Sequence, residues 1–133
     1  MIIDKILVPA VIVAVLAPAL FAANVDVSKL PPASDKKGVT FATDIKPIFE
    51  KSCNKCHGAE KQKGKLRLDT LAAALKGGED GECITPKDSS KSTLVHSIAQ
   101  LNDDDAMPPK GKGDALTKEQ IGLIRAWIDQ GAK

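Results

Sequence analysis

Cys53, Cys56 and His57 stand in the run Cys53-Asn54-Lys55-Cys56-His57, two thiols and an imidazole on five consecutive residues. Thiols at this spacing can add across the two vinyl groups of a haem and form thioether bonds. The adjacent imidazole then takes the iron from one face as proximal ligand. Zinc sites, thiol redox proteins and iron–sulfur proteins also use C-x-x-C. A zinc set would recruit Cys83 and His96, but no second C-x-x-C supports it. A thioredoxin-like motif wants a βαβ context, which the pattern of this chain lacks. The chemistry expected is therefore one covalently attached haem c.

A six-coordinate iron needs a ligand on the opposite face, and Met107 and His96 are the candidates behind the leader. Met107 lies in Ala106-Met107-Pro108-Pro109, a loop where two prolines stiffen the backbone beside the thioether. Ligation by Met and His also raises the reduction potential, which suits an electron carrier. A lone Met is usually core filler, but an acidic loop before two prolines is a poor place for one. His96 falls on an expected helix among apolar residues and reads as a packed histidine. Cys83, left over once two thiols hold the haem, reads as a small inert core residue.

The elements that must position these groups are helices. Phe41, Ile45, Ile48 and Phe49 form one apolar face, with Thr43 as the expected cap and Pro47 in the first turn. That helix leads directly into Cys53. A second helix is expected over about 70–76, capped by Asp69 and stopped by Gly77-Gly78, and a third over about 92–101. The last opens on a capping box, Thr117 with Gln120 at N3, and Leu116 facing Ile121 as a staple. Ile121, Ile124 and Ile128 share its inner face, and Gly131 is the expected stop. Gly122, costly in a helix, marks either a close approach of another helix or an exposed position.

Residues 1–23 read as a secretory signal: Lys5 near the start, an apolar run over 6–21, then Ala22-Ala23. The run is short for a membrane span, so any membrane contact would be through an uncleaved leader. Export, to a periplasm or beyond, agrees with haem attachment. Residues 24–40, with Pro31, Pro32, Ser34 and Gly38, read as a flexible tether, and 41–133 as the single folded domain. Past the leader there are two Phe, one Trp and no Tyr. A haem would enlarge so thin an aromatic core. Charge is uneven. Residues 46–67 carry seven basic and two acidic side chains, a local +5, while 79–105 carry the reverse, a local −5. The basic block surrounds the Cys-His motif and suits an acidic redox protein as partner. Nucleic acid is not a fitting partner, since aromatic interleaving and a large basic excess are both missing.

Across 41–131 the chain resembles the planctomycete-type cytochrome c domain, a small relative of class I c-type cytochromes. The matching pieces are Asp44-Ile45-Lys46-Pro47-Ile48-Phe49, Cys53-Asn54-Lys55-Cys56-His57-Gly58, Leu66-Arg67-Leu68-Asp69, Met107-Pro108-Pro109 and Trp127-Ile128-Asp129-Gln130-Gly131-Ala132. The resemblance implies a small all-α class I cytochrome c-like fold wrapped around one covalent haem, with His57 and Met107 as iron ligands and Leu68 and Trp127 packing near the porphyrin. The expected role is that of an exported monohaem carrier of single electrons rather than an enzyme. The alternative is the electron-accepting subunit of an exported dehydrogenase or oxidase complex.

Overall fold

The structure is a computed structural model that describes residues 24–133; the expected signal segment, 1–23, lies outside the described residues. Among the described residues every regular element is helical and no strand forms, as the apolar periodicities predicted.

Phe41–Ile45 is a wide π-helical turn that runs on into α1, Lys46–Ser52. The cap is Thr40, not Thr43. The Thr40 hydroxyl accepts the Thr43 N–H at 3.4 Å. The Asp44 carboxylate reaches back to take the Thr40 N–H at 3.0 Å and pairs with Lys36. Asp44 thus serves the cap as well as the first turn, and the helix starts three residues earlier than a Thr43 cap would allow, taking Phe41 into it. Pro47 sits in the first turn of α1, where its missing N–H costs nothing. Phe41, Ile45, Ile48 and Phe49 are all buried, as their spacing predicts.

Two further caps differ from expectation. α2, Leu71–Lys76, is capped by Thr70, whose hydroxyl accepts the Ala73 N–H at 3.2 Å. Asp69 is committed elsewhere, to a two-pronged pair with Arg67 at 3.0 and 2.6 Å. The cap therefore passes to the next residue with a hydroxyl. α3, Thr93–Ile98, ends sooner than its apolar pattern, because Gln100 turns into the left-handed region at φ +54°. The Leu101 N–H then folds back onto the His96 carbonyl at 3.1 Å.

α4, Lys118–Asp129, follows the sequence closely. Both bonds of the Thr117–Gln120 capping box are made, Leu116 and Ile121 are buried together, and Gly131 (φ +108°) lets the chain reverse. Its inner face carries Trp127, the centre of the core. The Phe41 ring lies 5.9 Å from Trp127 and the Phe49 ring 6.3 Å, the latter edge to face.

The outer side of α4 is covered by residues 31–39, from the stretch read as a tether. The Ser34 N–H donates to the Gly122 carbonyl at 2.9 Å. Arg125 donates to the Pro31 carbonyl and, at 3.0 Å, to the Ser89 hydroxyl. Gln130 holds both the Val39 N–H (3.1 Å) and the Lys36 carbonyl (2.7 Å). Gly122 does mark a close approach, but of this extended segment and not of another helix: a Cβ there would lie 2.7 Å from the Pro32 carbonyl oxygen.

Candidate functional site

The 53–57 turn is built by the end of α1. The Phe49 carbonyl accepts from both the Cys53 and Asn54 N–H groups, at 2.8 and 2.9 Å. The Cys53 carbonyl then accepts from Cys56 at 3.1 Å and His57 at 2.9 Å, so the backbone stays coiled through the motif. Gly58 packs so tightly on this coil that a Cβ there would sit 2.3 Å from the Asn54 carbonyl oxygen. The turn is pinned from outside as well: Lys63 donates to the Cys56 carbonyl at 2.9 Å, and Leu68 to that of His57 at 2.8 Å.

Cys53 and Cys56 are half-buried and not joined to each other. Cys53 packs against the apolar core, and burial pushes its thiol up to about 11. At neutral pH it therefore stays protonated, which disfavours thiol–disulfide exchange there. The His57 Nδ1 is buried and has no hydrogen-bond partner; Nε2 does not share that state. An imidazole held this way has one nitrogen turned inward and the other left for a ligand.

The remaining expected site residues come from three different elements. Leu68 is buried and hangs from the His57 carbonyl, next to the turn. Trp127 is wholly buried; its indole N–H donates to the Lys133 carbonyl at 3.0 Å, and its ring packs on Phe49 at the end of the helix that leads into the turn. Met107 is held by α3: its N–H donates to the Ser97 carbonyl at 3.0 Å. Its side chain is one of two large exposed apolar ones among the described residues, at 36 %.

His96 is engaged at one ring nitrogen. Its Nε2 lies 2.6 Å from the Ser90 carbonyl oxygen. A carbonyl can only accept, so this nitrogen carries the proton and has no lone pair to offer a metal. Cys83 is half-buried against the core, where burial raises its thiol pKa. Among the described residues no three His, Cys, Asp or Glu side chains gather at a spacing that could hold a metal ion, so the four-residue zinc set is not assembled.

Beside the turn lies an open depression of about 660 Å³, lined by Asn54, Lys55, Gly58, Ala59, Glu60, Lys61 and Asp69. It is charged and borders the motif's outer side. The lysines near it are mostly free. Lys46 reaches Glu50 at 3.9 Å and Arg67 is tied to Asp69, but Lys51, Lys55, Lys61, Lys63 and Lys65 are exposed with no ion pair among the described residues. Of the seven cations over 46–67, five carry no ion pair among the described residues.

The residues of the turn fit a covalently held haem. Two separate thiols and an adjacent imidazole whose Nε2 is not among the buried unpartnered atoms form the donor set that such a group completes. The family model described as Planctomycete cytochrome C matches residues 53–111, from the first cysteine of the turn to just past the Met107 loop. No curated protein and no solved structure matches the chain.

Proposed function

On the premise that residues 53–111 form a planctomycete-type cytochrome c domain, we propose that the chain is an exported monohaem c-type cytochrome passing single electrons between redox proteins. The observation that carries this reading is the coiled 53–57 turn, with two unpaired thiols and an imidazole whose buried Nδ1 has no partner, at the end of a packed helix. Cys53 and Cys56 would hold the haem by thioether bonds, and His57 would offer Nε2 to its iron. Met107, on a loop anchored at Ser97, would supply a thioether as the second ligand. Leu68, bonded to the His57 carbonyl, would lie beside the haem, and Trp127 would back the site through Phe49. The haem, when bound, supplies the one-electron couple; the protein tunes its potential and limits the approach of water. Electron carriage needs no substrate pocket, and none of the residues named here is assigned a proton-transfer role.

The test is direct. Protein made in cells with haem-attachment machinery should keep its haem after denaturation, and its mass should exceed that of the polypeptide by one haem. Cys53→Ala with Cys56→Ala should lose the covalent haem entirely. Purified protein containing zinc and showing no Soret band would overturn the reading.

The five free lysines support an acidic docking partner. Exposed charges act chiefly on the rate of encounter and are screened beyond about 10 Å at 0.1 M salt. Electron transfer with the physiological partner should slow as ionic strength rises. Reversing Lys55 and Lys61 to Glu should slow it at low salt while leaving the visible spectrum unchanged. Rates independent of salt would leave these lysines as a solvated surface only.

A further inference from the structure

Among the described residues, two side-chain atoms are buried with no hydrogen-bond partner: Asn54 Oδ1 and His57 Nδ1. They belong to the same turn, three residues apart. Leaving a buried polar atom unsatisfied costs about 1–3 kcal/mol, so two in one turn need a reason.

Their chemistry is complementary. An amide oxygen only accepts. An imidazole whose Nε2 is given to a metal carries its proton on Nδ1, which then only donates. Residues three apart on a helical turn are neighbours on one face. The backbone stays coiled here, because the Cys53 carbonyl accepts from both Cys56 and His57.

Three of the turn's backbone carbonyls already accept backbone N–H groups. The Cys53 carbonyl takes two N–H groups, that of Cys56 takes Lys63, and that of His57 takes Leu68. The Asn54 carbonyl is crowded by Gly58. Asn54 itself is anchored through its N–H to Phe49, so its side chain leaves a fixed point on the backbone.

We propose that Asn54 is the positioning residue of His57, its Oδ1 accepting the Nδ1–H when Nε2 ligates the iron. The assignment rests on the haem reading above. It gives the second residue of the motif a task that the C-x-x-C-H pattern leaves open to any side chain. A donor bond of this kind fixes the ring plane and pushes electron density onto Nε2. A more basic proximal nitrogen favours the oxidised iron, so the acceptor holds the potential down. Losing it should raise the potential, and a carboxylate in its place should lower it.

The experiment is nitrogen-15 NMR of the reduced, haem-loaded protein, with potentiometry on the same samples. In the unaltered protein the Nδ1–H of His57 should exchange slowly with solvent. Asn54→Leu keeps the size but removes the acceptor: exchange should accelerate at least tenfold and the midpoint potential should rise. Asn54→Asp should restore slow exchange and bring the potential below that of the unaltered protein. A general loosening of the turn would not move the two variants in opposite directions. Fast exchange in the unaltered protein would overturn the pairing without any variant, and so decides the matter if Asn54→Leu fails to fold. Unchanged exchange and potential in haem-loaded Asn54→Leu would also overturn it. If the unaltered protein takes up no haem, the cytochrome reading falls and the pairing with it; if haem is attached and only the exchange and potential fail to respond, the pairing alone falls.

Discussion

Met107→Ala should abolish the weak long-wavelength band that ferric class I cytochromes owe to a thioether ligand, and should drop the reduction potential by tenths of a volt. Axial ligands together set haem potentials over a range of roughly 0.8 V, so removing one is on the order of the largest change a single residue can make. The direction follows from the ligand. A thioether is an electron-poor donor that favours ferrous iron, and its loss favours ferric. Met107 is a suitable residue for this experiment because its side chain is exposed and its loop is held by a backbone bond to Ser97, which alanine keeps. The packing of the polypeptide should therefore change little while the spectrum and potential change greatly. His96→Ala is the control. Its Nε2 donates to the Ser90 carbonyl, so its removal should cost some stability and leave the band in place. A band that survives Met107→Ala and disappears with His96→Ala would transfer the ligand role to the histidine.

The features legible in the sequence are those written in short-range chemistry. The 53–57 motif, the Thr117–Gln120 box and the apolar faces of α1 and α4 each depend on residues within a turn or two of one another, and each is present. What the sequence did not disclose depends on partners far along the chain. Asp69 looks like a cap for α2 until Arg67 takes both its oxygens. Residues 24–40 read as a tether because Pro, Ser, Lys and Gly fill them. Yet the bonds that draw 31–39 onto the fold come from Arg125 and Gln130, more than ninety positions away. Gly122 was the local trace of that packing, since a helix interior gives up about 1 kcal/mol for glycine only when something must pass close by. The orphaned Asn54 and His57 atoms carry no sequence signal, because orphanhood is a property of what surrounds them.

Trp127→Ala should destabilise the haem-loaded protein by about 3–5 kcal/mol, the range for deleting a buried large aromatic. For a domain whose total stability is on the order of 5–15 kcal/mol, that is a large fraction. Trp127 is wholly buried, contacts Phe41 and Phe49 by ring packing, and ties the chain end through its bond to Lys133. Residues 24–133 have no other Phe, Trp or Tyr, and the three rings all pack on one another, with Trp127 the largest of them. With a urea dependence of about 2 kcal/mol per molar, the unfolding midpoint should fall by about 2 M. Trp127→Phe should cost less, since it keeps most of the ring and gives up the bond to a carbonyl at an exposed chain end. The effect should also reach the motif. Phe49 packs edge to face on Trp127, and its carbonyl starts the coil that carries Cys53 and Asn54. Alanine at 127 should therefore broaden the Soret band and speed exchange of the Cys53 and Asn54 amides before global unfolding begins. A midpoint within 0.5 M of the unaltered protein, roughly 1 kcal/mol at that slope, would show that the haem, and not the aromatic trio, holds this core together.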